Sequence, residues 1–370
     1  MNGKNVLGII YSNSHDNCLP ELATMRAMGS VPFAGRYRLI DFVLSNMVNC
    51  GIGKVGVLTN ENFRSLMDHI GSGRPWDLSR KNSGLFLLPP FSKVPAHRDP
   101  RLAALIACEG FIASSREEYV ILADCNVICN IDYSKIIDRH IATKADITIA
   151  YTKGIMPPLH GLCTFDIDDN DRIRSVEISP KTEGVVNYST NICVLRKSLL
   201  EHLINEAQSR KYVSFEENIF MGKAESMELY GYEITEYNRT VSSIESYYSI
   251  SMELLDNELR RQLFCKERPV LTKLRDSMPT IYRGSADVKN SLIADGCIIE
   301  GEVENSLIFR GATIAKDAVV RNSIVMQGAF IGEGSTLNCV ILDKNVTIKP
   351  RKNLSGAENY PFFVGKGIII

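Results

Sequence analysis

A repeat near the end of the chain constrains the fold more than any other feature of the sequence. An Asn-Ser phrase and its close variant recur at intervals of 15, 17 and 16 residues, and aliphatic residues between them step by about six. Such near-hexapeptide steps predict a left-handed parallel β-helix, in which each aliphatic side chain points inward and stacks on the next coil. An antiparallel sheet would alternate with a period of two, which this stretch does not sustain. The phrases are Asn290-Ser291-Leu292-Ile293, Asn305-Ser306-Leu307-Ile308, Asn322-Ser323-Ile324-Val325 and Asn338-Cys339-Val340-Ile341.

The preceding part of the chain alternates short apolar runs with amphipathic segments. Residues 6–10, 54–59 and 118–123 read as buried strands, and helical patterns follow each of them. This order favours a mostly parallel sheet covered by helices. Apolar residues at helical spacing over 244–263 predict a connecting helix. We therefore expect an α/β domain at residues 1–245, a connecting helix and linker at 246–275, and a β-helix domain at 276–370.

The loop after the first predicted strand is unusual for its place in such a domain. Strand, polar loop and helix is the layout with which α/β nucleotide enzymes hold phosphates on backbone N–H groups. Such loops need glycine, because only a residue without Cβ lets the backbone approach the phosphate. No glycine lies between Tyr11 and Met28. The sequence has the frame of a phosphate loop without its chemistry.

Composition and charge exclude several classes of protein. The net charge of −1 gives no basic field for nucleic acid, and no apolar run approaches the roughly 18 residues of a membrane span. The first residues run straight into a strand, so we expect a cytoplasmic protein. Ten scattered cysteines predict free thiols, since Cys125 and Cys129 alone do not have the spacing of a zinc site. The acidic run at 168–171 lacks the glycine and glutamate of a calcium loop, and we predict no metal site.

Several segments resemble those of bacterial glucose-1-phosphate adenylyltransferase (ADP-glucose pyrophosphorylase), a branch of the sugar-nucleotide pyrophosphorylases. Residues 33–46 are similar to its block FGG-[KR]-[FY]-R-[IL]-IDF-x-LSN, and residues 73–78, 87–90 and 120–123 also match family segments. The resemblance runs along nearly the whole chain. It implies an α/β fold with a nucleotide-diphospho-sugar-transferase-like, Rossmann-type domain followed by the left-handed β-helix.

The chain departs from this family at the positions that hold the triphosphate. In the loop LAGGxGTRL the family glycines fall on Asn13, Ser14 and Asp16, and the arginine falls on Cys18. The lysine of the family's RAKP motif falls on Met28. A carboxylate at position 16 repels a polyphosphate, and neither of the two mapped cation positions, 18 and 28, carries a positive charge.

The metal and sugar-phosphate positions are also changed. The two aspartates that hold Mg²⁺ in the family fall on Cys125 and Thr240. Glu177 and Ser189 match the glucose 1-phosphate pocket, but the lysine after that glutamate is Ile178. The resemblance therefore implies no catalytic residue and no cofactor in this chain, with residual substrate contacts at most.

This pattern resembles the regulatory, non-catalytic subunit of the bacterial enzyme. By that resemblance, the chain forms a heterotetramer with a catalytic subunit, which alone holds Mg²⁺ and makes ADP-glucose and pyrophosphate from ATP and glucose 1-phosphate for glycogen synthesis. The alternative is a divergent, weakly active nucleotidyltransferase that uses other cations, such as Arg98 or Arg101. A further alternative is that the chain is only an assembly scaffold and does not change the kinetics of its partner. A β-helix acyltransferase is disfavoured, because the last histidine, His202, precedes the repeat.

Two arginines are candidate ligands for a phosphorylated effector. Arg36 occupies the family position of a basic residue linked to activator phosphates, and Arg38 lies beside it. A salt bridge between domains explains Arg36 equally well. Which metabolite acts, and whether the chain self-associates without its partner, stay open at this point. Further basic candidates, equally explained as surface charge, are Arg321, Lys349, Arg351 and Lys352.

Overall fold

The computed structural model describes residues 3–60, 62–81, 83–89, 98–181 and 184–370. Pro90, the last residue of one matched family segment, lies outside these ranges. The first part of the chain forms strands β1 (Val6–Tyr11), β2 (Pro32–Phe33), β3 (Tyr37–Arg38), β4 (Lys54–Leu58), β5 (Gly84–Leu88), β6 (Tyr119–Asp124), β7 (Val127–Cys129), β8 (Ile147–Ile155), β9 (Cys163–Ile167), β10 (Ile173–Ile178), β11 (Val185–Arg196), β12 (Leu229–Glu233) and β13 (Asn238–Thr240).

Nine α-helices lie among the described residues. They are α1 (Pro20–Ala23), α2 (Leu39–Asn49), α3 (Arg64–Ile70), α4 (Pro100–Ala107), α5 (Glu109–Ala113), α6 (Tyr133–Thr143), α7 (Lys197–Ser209), α8 (Ile244–Glu253) and α9 (Asn257–Leu263). Short 3₁₀ turns occur at Gly3–Asn5, Asp16–Cys18, Met28–Ser30 and Arg74–Trp76, and a π-helical turn occurs at Glu216–Met221. None of the helices in the described ranges combines the length and apolar character needed to cross a bilayer.

The α/β part is built on a nine-stranded sheet with helices on both faces. The strands follow the order β10-β9-β11-β6-β1-β4-β5, with β8 on β11 and β12 on β8. From β5 to β6 the strands are parallel, whereas β11 runs antiparallel to β6, β8 and β9. The expectation of a mostly parallel sheet is therefore wrong for β8 to β11, which pair antiparallel, whereas β12 is again parallel to β8. Alternate residues of the fully buried β1 enter two separate cores on the two sheet faces.

Some predicted elements differ in extent from those observed. The prolines and glycines of residues 71–90 are typical of a long loop, but this region contains the edge strand β5, because Gly73 and Gly84 turn the chain back beside β4. The helical pattern that follows the first strand, near residues 21–28, forms only the single turn α1. The connecting helix over 244–263 is two helices, since the Asp256 side chain accepts the first N–H groups of α9 and starts a new helix there.

The C-terminal part is a left-handed β-helix, as the repeat predicted. Its coils present three flat parallel sheets, which we call the first, second and third face. The first face comprises Ile281–Tyr282, Ile298–Ile299, Thr313–Ile314, Phe330–Ile331 and Thr347–Ile348; the second Asp287–Lys289, Glu302–Glu304, Val319–Arg321, Thr336–Asn338 and Asn353–Ser355; the third Leu292–Ile293, Leu307–Ile308, Ile324–Val325, Val340–Leu342 and Phe362–Val364.

The Asn-Ser phrase marks one corner of each coil. Asn290, Asn305 and Asn322 adopt left-handed backbone angles, with φ of 41°, 46° and 45°. Asparagine visits this region more readily than most residues, because its short polar side chain can hydrogen-bond locally. In the fourth phrase the left-handed residue is Cys339, one position later, with φ of 52°. The Asn290 amide donates to Asn305 Oδ1 at 2.7 Å, so neighbouring corners are also bonded to each other.

The third face of the β-helix packs against the α/β part. Its outward residues Leu307, Ile324 and Ile341 share one buried cluster with Phe33 and Tyr247. A doubly hydrogen-bonded ion pair crosses the same boundary. Arg26 Nη1 donates to Asp343 Oδ1 at 2.9 Å and Nη2 to Oδ2 at 2.6 Å, and these side chains are 4% and 3% exposed. The two parts of the chain are therefore joined by apolar packing and by a buried charge pair.

We expect Arg26→Ala to destabilise the protein by about 3–5 kcal/mol, because it leaves Asp343 buried without its cation. Urea denaturation followed by fluorescence and circular dichroism measures this change. Arg261→Ala is the matched control, since Arg261 and its partner Glu258 are 69% and 78% exposed, and it should cost less than about 1 kcal/mol. Equal effects of the two substitutions would contradict the role of the buried pair.

Candidate functional site

The degenerate phosphate loop lies at the carboxyl ends of two central parallel strands. Tyr11 at the end of β1 pairs with Asp124 at the end of β6. The loop after β1 therefore lies beside the loop after β6, at the sheet edge where α/β proteins bind their ligands. The sequence layout of strand, polar loop and helix predicts a phosphate loop at this edge of the sheet.

A buried ion network occupies this position. Asp124 Oδ2 lies 2.8 Å from His15 Nε2, and Asp124 Oδ1 lies 3.5 Å from Arg101 Nη2. Arg101 Nη1 also donates to Glu216 Oε1 at 3.1 Å. The Asp124 side chain is fully buried, and those of His15 and Arg101 are 14% and 11% exposed. Two cationic side chains of the chain itself thus converge on the carboxylate at the end of β6.

Local structure explains why Arg101 reaches this network. The Asp99 side chain accepts the N–H groups of Arg101 and Leu102, so α4 begins just before the arginine. A bulge in β11 turns the carbonyl of Asn191, which has φ of 57°, towards Arg101 Nη2 at 3.3 Å. The guanidinium also lies over the Tyr11 ring, 4.6 Å from its centroid. The arginine is fixed on every side by groups of this chain.

The electrostatics keep both cations charged. Burial alone would lower the pKa of His15, but its hydrogen bonds to Asp124 and Cys18 and the charge of Asp124 together outweigh burial and raise this pKa to about 9. Burial likewise opposes the charge of Arg101, and the carboxylates of Asp124 and Glu216 hold its pKa well above the usual value. The cations therefore remain in place at neutral pH.

The loop itself is closed by its own side chains. Asp16 Oδ1 accepts the Met28 N–H at 2.7 Å, and Asp16 Oδ2 accepts from Asn13 Nδ2 at 2.6 Å. Burial raises the pKa of Asp16 to about 6 although both hydrogen bonds lower it. The side-chain oxygen Oδ1 of Asn13 accepts the N–H of Asn60 at 3.1 Å. The polar side-chain groups of Asn13 and Asp16 are thus engaged within the loop and with the neighbouring segments.

The predicted degenerate positions have core rather than catalytic surroundings. Cys18 is half-buried on the 3₁₀ turn, and Met28 is 1% exposed in the apolar cluster that contains Phe33. Cys125 is buried directly after β6, and burial raises the pKa of its thiol well above the usual range. Thr240 ends β13 and pairs with Val127, two residues after Cys125. The fold brings the last two positions to neighbouring strands, but neither carries a carboxylate.

These side chains do not fit a magnesium ion. Mg²⁺ prefers carboxylate and other oxygen ligands in octahedral geometry, and a buried thiol and a single hydroxyl stand at the mapped positions. The adjacent carboxylate of Asp124 is already paired with two cations. In the described ranges, no group of three His, Cys, Asp or Glu side chains is arranged to hold a metal ion.

The two residues that match the sugar-phosphate pocket lie on nearby strands. Thr164 of β9 pairs with Glu177 of β10 on one side and with Tyr188 of β11 on the other, next to Ser189. Glu177 is exposed, whereas Ser189 is buried and its Oγ accepts the N–H of Asn191 at 3.0 Å. Only the glutamate is directed to solvent.

The two candidate effector arginines line a basic pocket between the domains. Arg38 is buried, its pKa is lowered to about 10 by burial, and its Nη1 donates to Ser65 O at 2.6 Å. Arg36 is exposed at the hairpin between β2 and β3. No acidic residue lines the pocket, whose walls are Pro32, Gly35, Arg36, Tyr37, Arg38, His69, Lys273, Arg275, Phe309, Arg310, Gln327 and Lys344.

Two residues show that positive charge in this pocket is incompletely balanced. Arg310 donates to Asp295 through Nε at 3.2 Å, but its buried Nη2 has no hydrogen-bond partner among the described residues. The pKa of Lys344 is lowered to about 7 by burial and by the nearby charges of Arg38 and Arg26. An anion bound here would satisfy both groups.

Sequence reasoning missed part of both sites. Asp124 was not predicted, because the family resemblance put the metal position one residue later, on Cys125. A carboxylate at the carboxyl end of a buried strand was nevertheless a visible signal in the sequence. Lys273, Arg310 and Lys344 come from the linker and two separate coils, so no contiguous pattern could reveal them. The remaining basic candidates lie outside the pocket, and Arg321 pairs with Glu302 on the second face.

The His15 network makes a pH-dependent contribution to stability. The pKa of His15 is higher in the folded chain than in an unfolded one, so its stabilisation is full below about pH 6.5 and is lost as the pH rises through about 9. We expect the free energy of unfolding of the wild type to exceed that of His15→Gln by on the order of 3 kcal/mol more at pH 6 than at pH 10. Urea titrations across this range measure the difference, and a difference independent of pH would refute the ion pair.

Comparison with known proteins agrees with the two-part architecture. Residues 19–257 match the nucleotidyl transferase family, and residues 281–358 match the GlmU-like C-terminal hexapeptide family. The glycogen biosynthesis protein GlgD of Geobacillus stearothermophilus is 39% identical over 100% of this chain and 98% of its own length, and that of Bacillus subtilis is 32% identical over 98% and 96%. A glucose-1-phosphate adenylyltransferase of Bacillus cytotoxicus is 30% identical over 96% of each chain. The chain therefore belongs to the nucleotidyl transferase family, within the group of full-length relatives that includes the GlgD glycogen biosynthesis proteins.

Proposed function

We propose that this chain is a non-catalytic, regulatory subunit of glucose-1-phosphate adenylyltransferase. In this proposal it joins a catalytic subunit in the cytoplasm and modulates the formation of ADP-glucose and pyrophosphate from ATP and glucose 1-phosphate in glycogen biosynthesis. The observation that carries the proposal is the ion network at the ends of β1 and β6, where His15 and Arg101 of the chain itself neutralise Asp124.

The chemistry of nucleotidyl transfer explains why this network argues against catalysis. Such reactions depend almost wholly on positioning the phosphates and stabilising their charge. Each missing donor or cation lowers the rate by about 10²–10³, and a metal ion supplies several kcal/mol more. The losses are not additive, but together they place any residual activity many orders below that of a competent enzyme.

The names of the relatives support the pathway and the partner. Relatives named glycogen biosynthesis protein and relatives named glucose-1-phosphate adenylyltransferase both match nearly the whole chain. A subunit that keeps the architecture of the enzyme is suited to assemble with it. We propose a heterotetramer, in which Mg²⁺ and the reacting substrates are held by the catalytic subunit.

The basic pocket is the proposed site of regulation. Arg36, Arg38, Arg310 and Lys344 surround it without a carboxylate in its walls, and phosphate groups match the forked donors of arginine. Because the pocket lies between the two domains, a ligand there contacts both. We propose that a phosphorylated metabolite binds here and that the resulting change reaches the catalytic neighbour.

Asp124 favours one second candidate, a weakly active nucleotidyltransferase. The Asp124 carboxylate lies next to the mapped metal position. If His15 or Arg101 moved away from it, this carboxylate could serve as one magnesium ligand. Calorimetric titration with Mg²⁺-ATP tests this candidate. Binding together with turnover that Asp124→Asn abolishes would support it, and the absence of both would remove it.

We expect the purified chain alone, with ATP, glucose 1-phosphate and Mg²⁺, to show no turnover in the usual enzyme range of about 1–10³ s⁻¹. Co-expressed with the catalytic subunit, it should co-purify as a complex whose kcat, KM or effector response differs from that of the catalytic subunit alone. Ordinary turnover by the isolated chain would disprove the lack of catalysis. Unchanged kinetics in a complex of verified composition would disprove the regulatory role.

We expect Arg310→Gln to weaken the effect of phosphorylated ligands at least tenfold, because it removes a buried cation whose Nη2 is free to bind an anion. A panel of inorganic phosphate and phosphorylated sugars, titrated against the activity of the complex, measures the half-maximal concentration. Arg261→Gln, a change of the same kind on an exposed helix surface, is the control. Equal responses of both variants to every ligand would rule out the pocket.

A further inference from the structure

Lys344 lines the basic pocket from the β-helix side, and its amine has no bonded partner in the part of the chain that the structure describes. The residue lies two positions after the strand Val340–Leu342 of the third face and is half-buried. Its hydrogen bonds there are made by its backbone: its N–H donates to Asp343 Oδ1 at 2.7 Å, and its carbonyl accepts the N–H of Gly367 at 2.9 Å. The amine is therefore available to a ligand of the pocket.

The carboxylates around the pocket are engaged by other cations. Asp343, next to Lys344 in the sequence, accepts one guanidinium N–H of Arg26 on each of its two oxygens. The same kind of pairing joins Asp41 to His69 and Asp295 to Arg310. None of these carboxylates is bonded to the Lys344 amine, so its positive charge is not balanced by an ion pair of its own.

Other cations face Lys344 from each segment packed around it. Arg38 of β3 and Arg26 of the segment after α1 act on it from the α/β part, and Arg275 acts on it from the linker. Like charges disfavour one another, and arginine is effectively always protonated. The lysine is therefore the group of this set that can give up its charge. Further charged or titratable groups around the pocket are Arg36, Tyr37, Asp41, Asp68, His69, Lys273, Asp295 and Arg310, with Lys366 beside the bonded Gly367.

Among the lining groups with a displaced pKa, Lys344 moves into the neutral range. Burial raises the pKa of Tyr37 and lowers that of His69, so both move away from neutrality. Burial also lowers the pKa of Arg38, to about 10, and that of Arg310. For Lys344, burial and the charges of Arg38 and Arg26 lower the pKa to about 7. The charge of the pocket therefore changes near neutral pH through this one amine.

We propose that the basic pocket binds an oxyanion and a proton together, and that Lys344 takes up the proton. The amine gains this proton from the solvent and becomes an ammonium group beside the anion, and no covalent bond to the ligand forms. A bound anion offsets the repulsion among the cations and so favours the charged form of the lysine. The inference rests on the proposed function for the choice of site, and it adds a dependence on acidity to the proposed regulation.

The direction of the pH dependence follows from linkage. Because a bound anion raises the pKa of Lys344, affinity is full below about pH 7 and falls as the pH rises above that value. At pH 9 about one Lys344 amine in a hundred is protonated when no anion is bound. We therefore expect anions to bind at least tenfold more weakly at pH 9 than at pH 6. In the complex with a catalytic subunit, the half-maximal effector concentration rises over the same range.

Isothermal titration calorimetry of the full chain with sulfate tests the coupling. Sulfate is the probe because its charge is constant between pH 6 and pH 9, whereas a phosphate group titrates near pH 6. Titrations in buffers of different ionisation enthalpy, at constant ionic strength, give the number of protons taken up. We expect uptake of about 0.1 proton per sulfate at pH 6 and about 0.9 at pH 8, together with the tenfold change in the dissociation constant.

Three variants assign the effect to Lys344. Lys344→Arg keeps a positive charge at every pH, so it should bind sulfate equally well at pH 6 and pH 9. Lys344→Gln should bind weakly and without dependence on pH. Lys316→Gln is the matched control, since Lys316 is an exposed lysine on another coil of the β-helix, and it should behave like the wild type. Circular dichroism verifies that each variant is folded.

The possible outcomes separate this inference from the proposed function. Wild-type binding that does not change with pH, or a pH dependence that persists in Lys344→Arg, would overturn the proton coupling and leave the pocket as an effector site. The absence of sulfate binding at every pH, or wild-type binding by Arg310→Gln, would overturn both the coupling and the choice of pocket. The effect on a catalytic subunit is measured separately on the complex, and its absence would not alter these titrations.

Discussion

The buried carboxylate of Asp124 imposes the constraint on which the centre of the molecule depends. A fully buried charge costs several kcal/mol unless cations and hydrogen bonds compensate it. Asp124 sits at the carboxyl end of a central strand, where nothing from the solvent can neutralise it. Two side chains from different segments, His15 and Arg101, meet there to do so. Removing either would leave an uncompensated charge in the core.

This compensation links the stability of the domain to the lack of catalysis that we propose. The capped start of α4, the bulge in β11 and the closed loop after β1 all direct groups towards the network. Each of these features fills space or uses donors that a nucleotide and its metal would need. The same contacts that hold the sheet edge together therefore oppose the binding of a polyphosphate. Nucleotidyl transfer by this chain would therefore require a rebuilt sheet edge in addition to several substituted side chains.

At the boundary between the two domains, unlike at Asp124, part of the charge is not compensated. Arg26 is fully paired with Asp343, but the pocket beside them has a surplus of positive charge, which lowers the pKa of Lys344. Apolar packing of the third β-helix face and the Arg26–Asp343 pair join the two domains beside this pocket. The three faces of the β-helix thus differ: the third packs against the α/β part, the second carries exposed ion pairs, and the first presents exposed apolar side chains.

The sequence by itself determined the β-helix, the buried strands and the absence of glycine from the loop after β1. These are local properties, since aliphatic periodicity and missing glycines or carboxylates are visible in short windows. Only the tertiary structure decided that Asp124 is buried between His15 and Arg101, that β11 runs antiparallel to β6, and that Lys273, Arg310 and Lys344 share one pocket. The physical reason is that pairing direction, burial and charge compensation depend on contacts between residues far apart in the chain. Such contacts leave no period or motif in the sequence, and a shift of one residue along a strand changes which side chain faces the site.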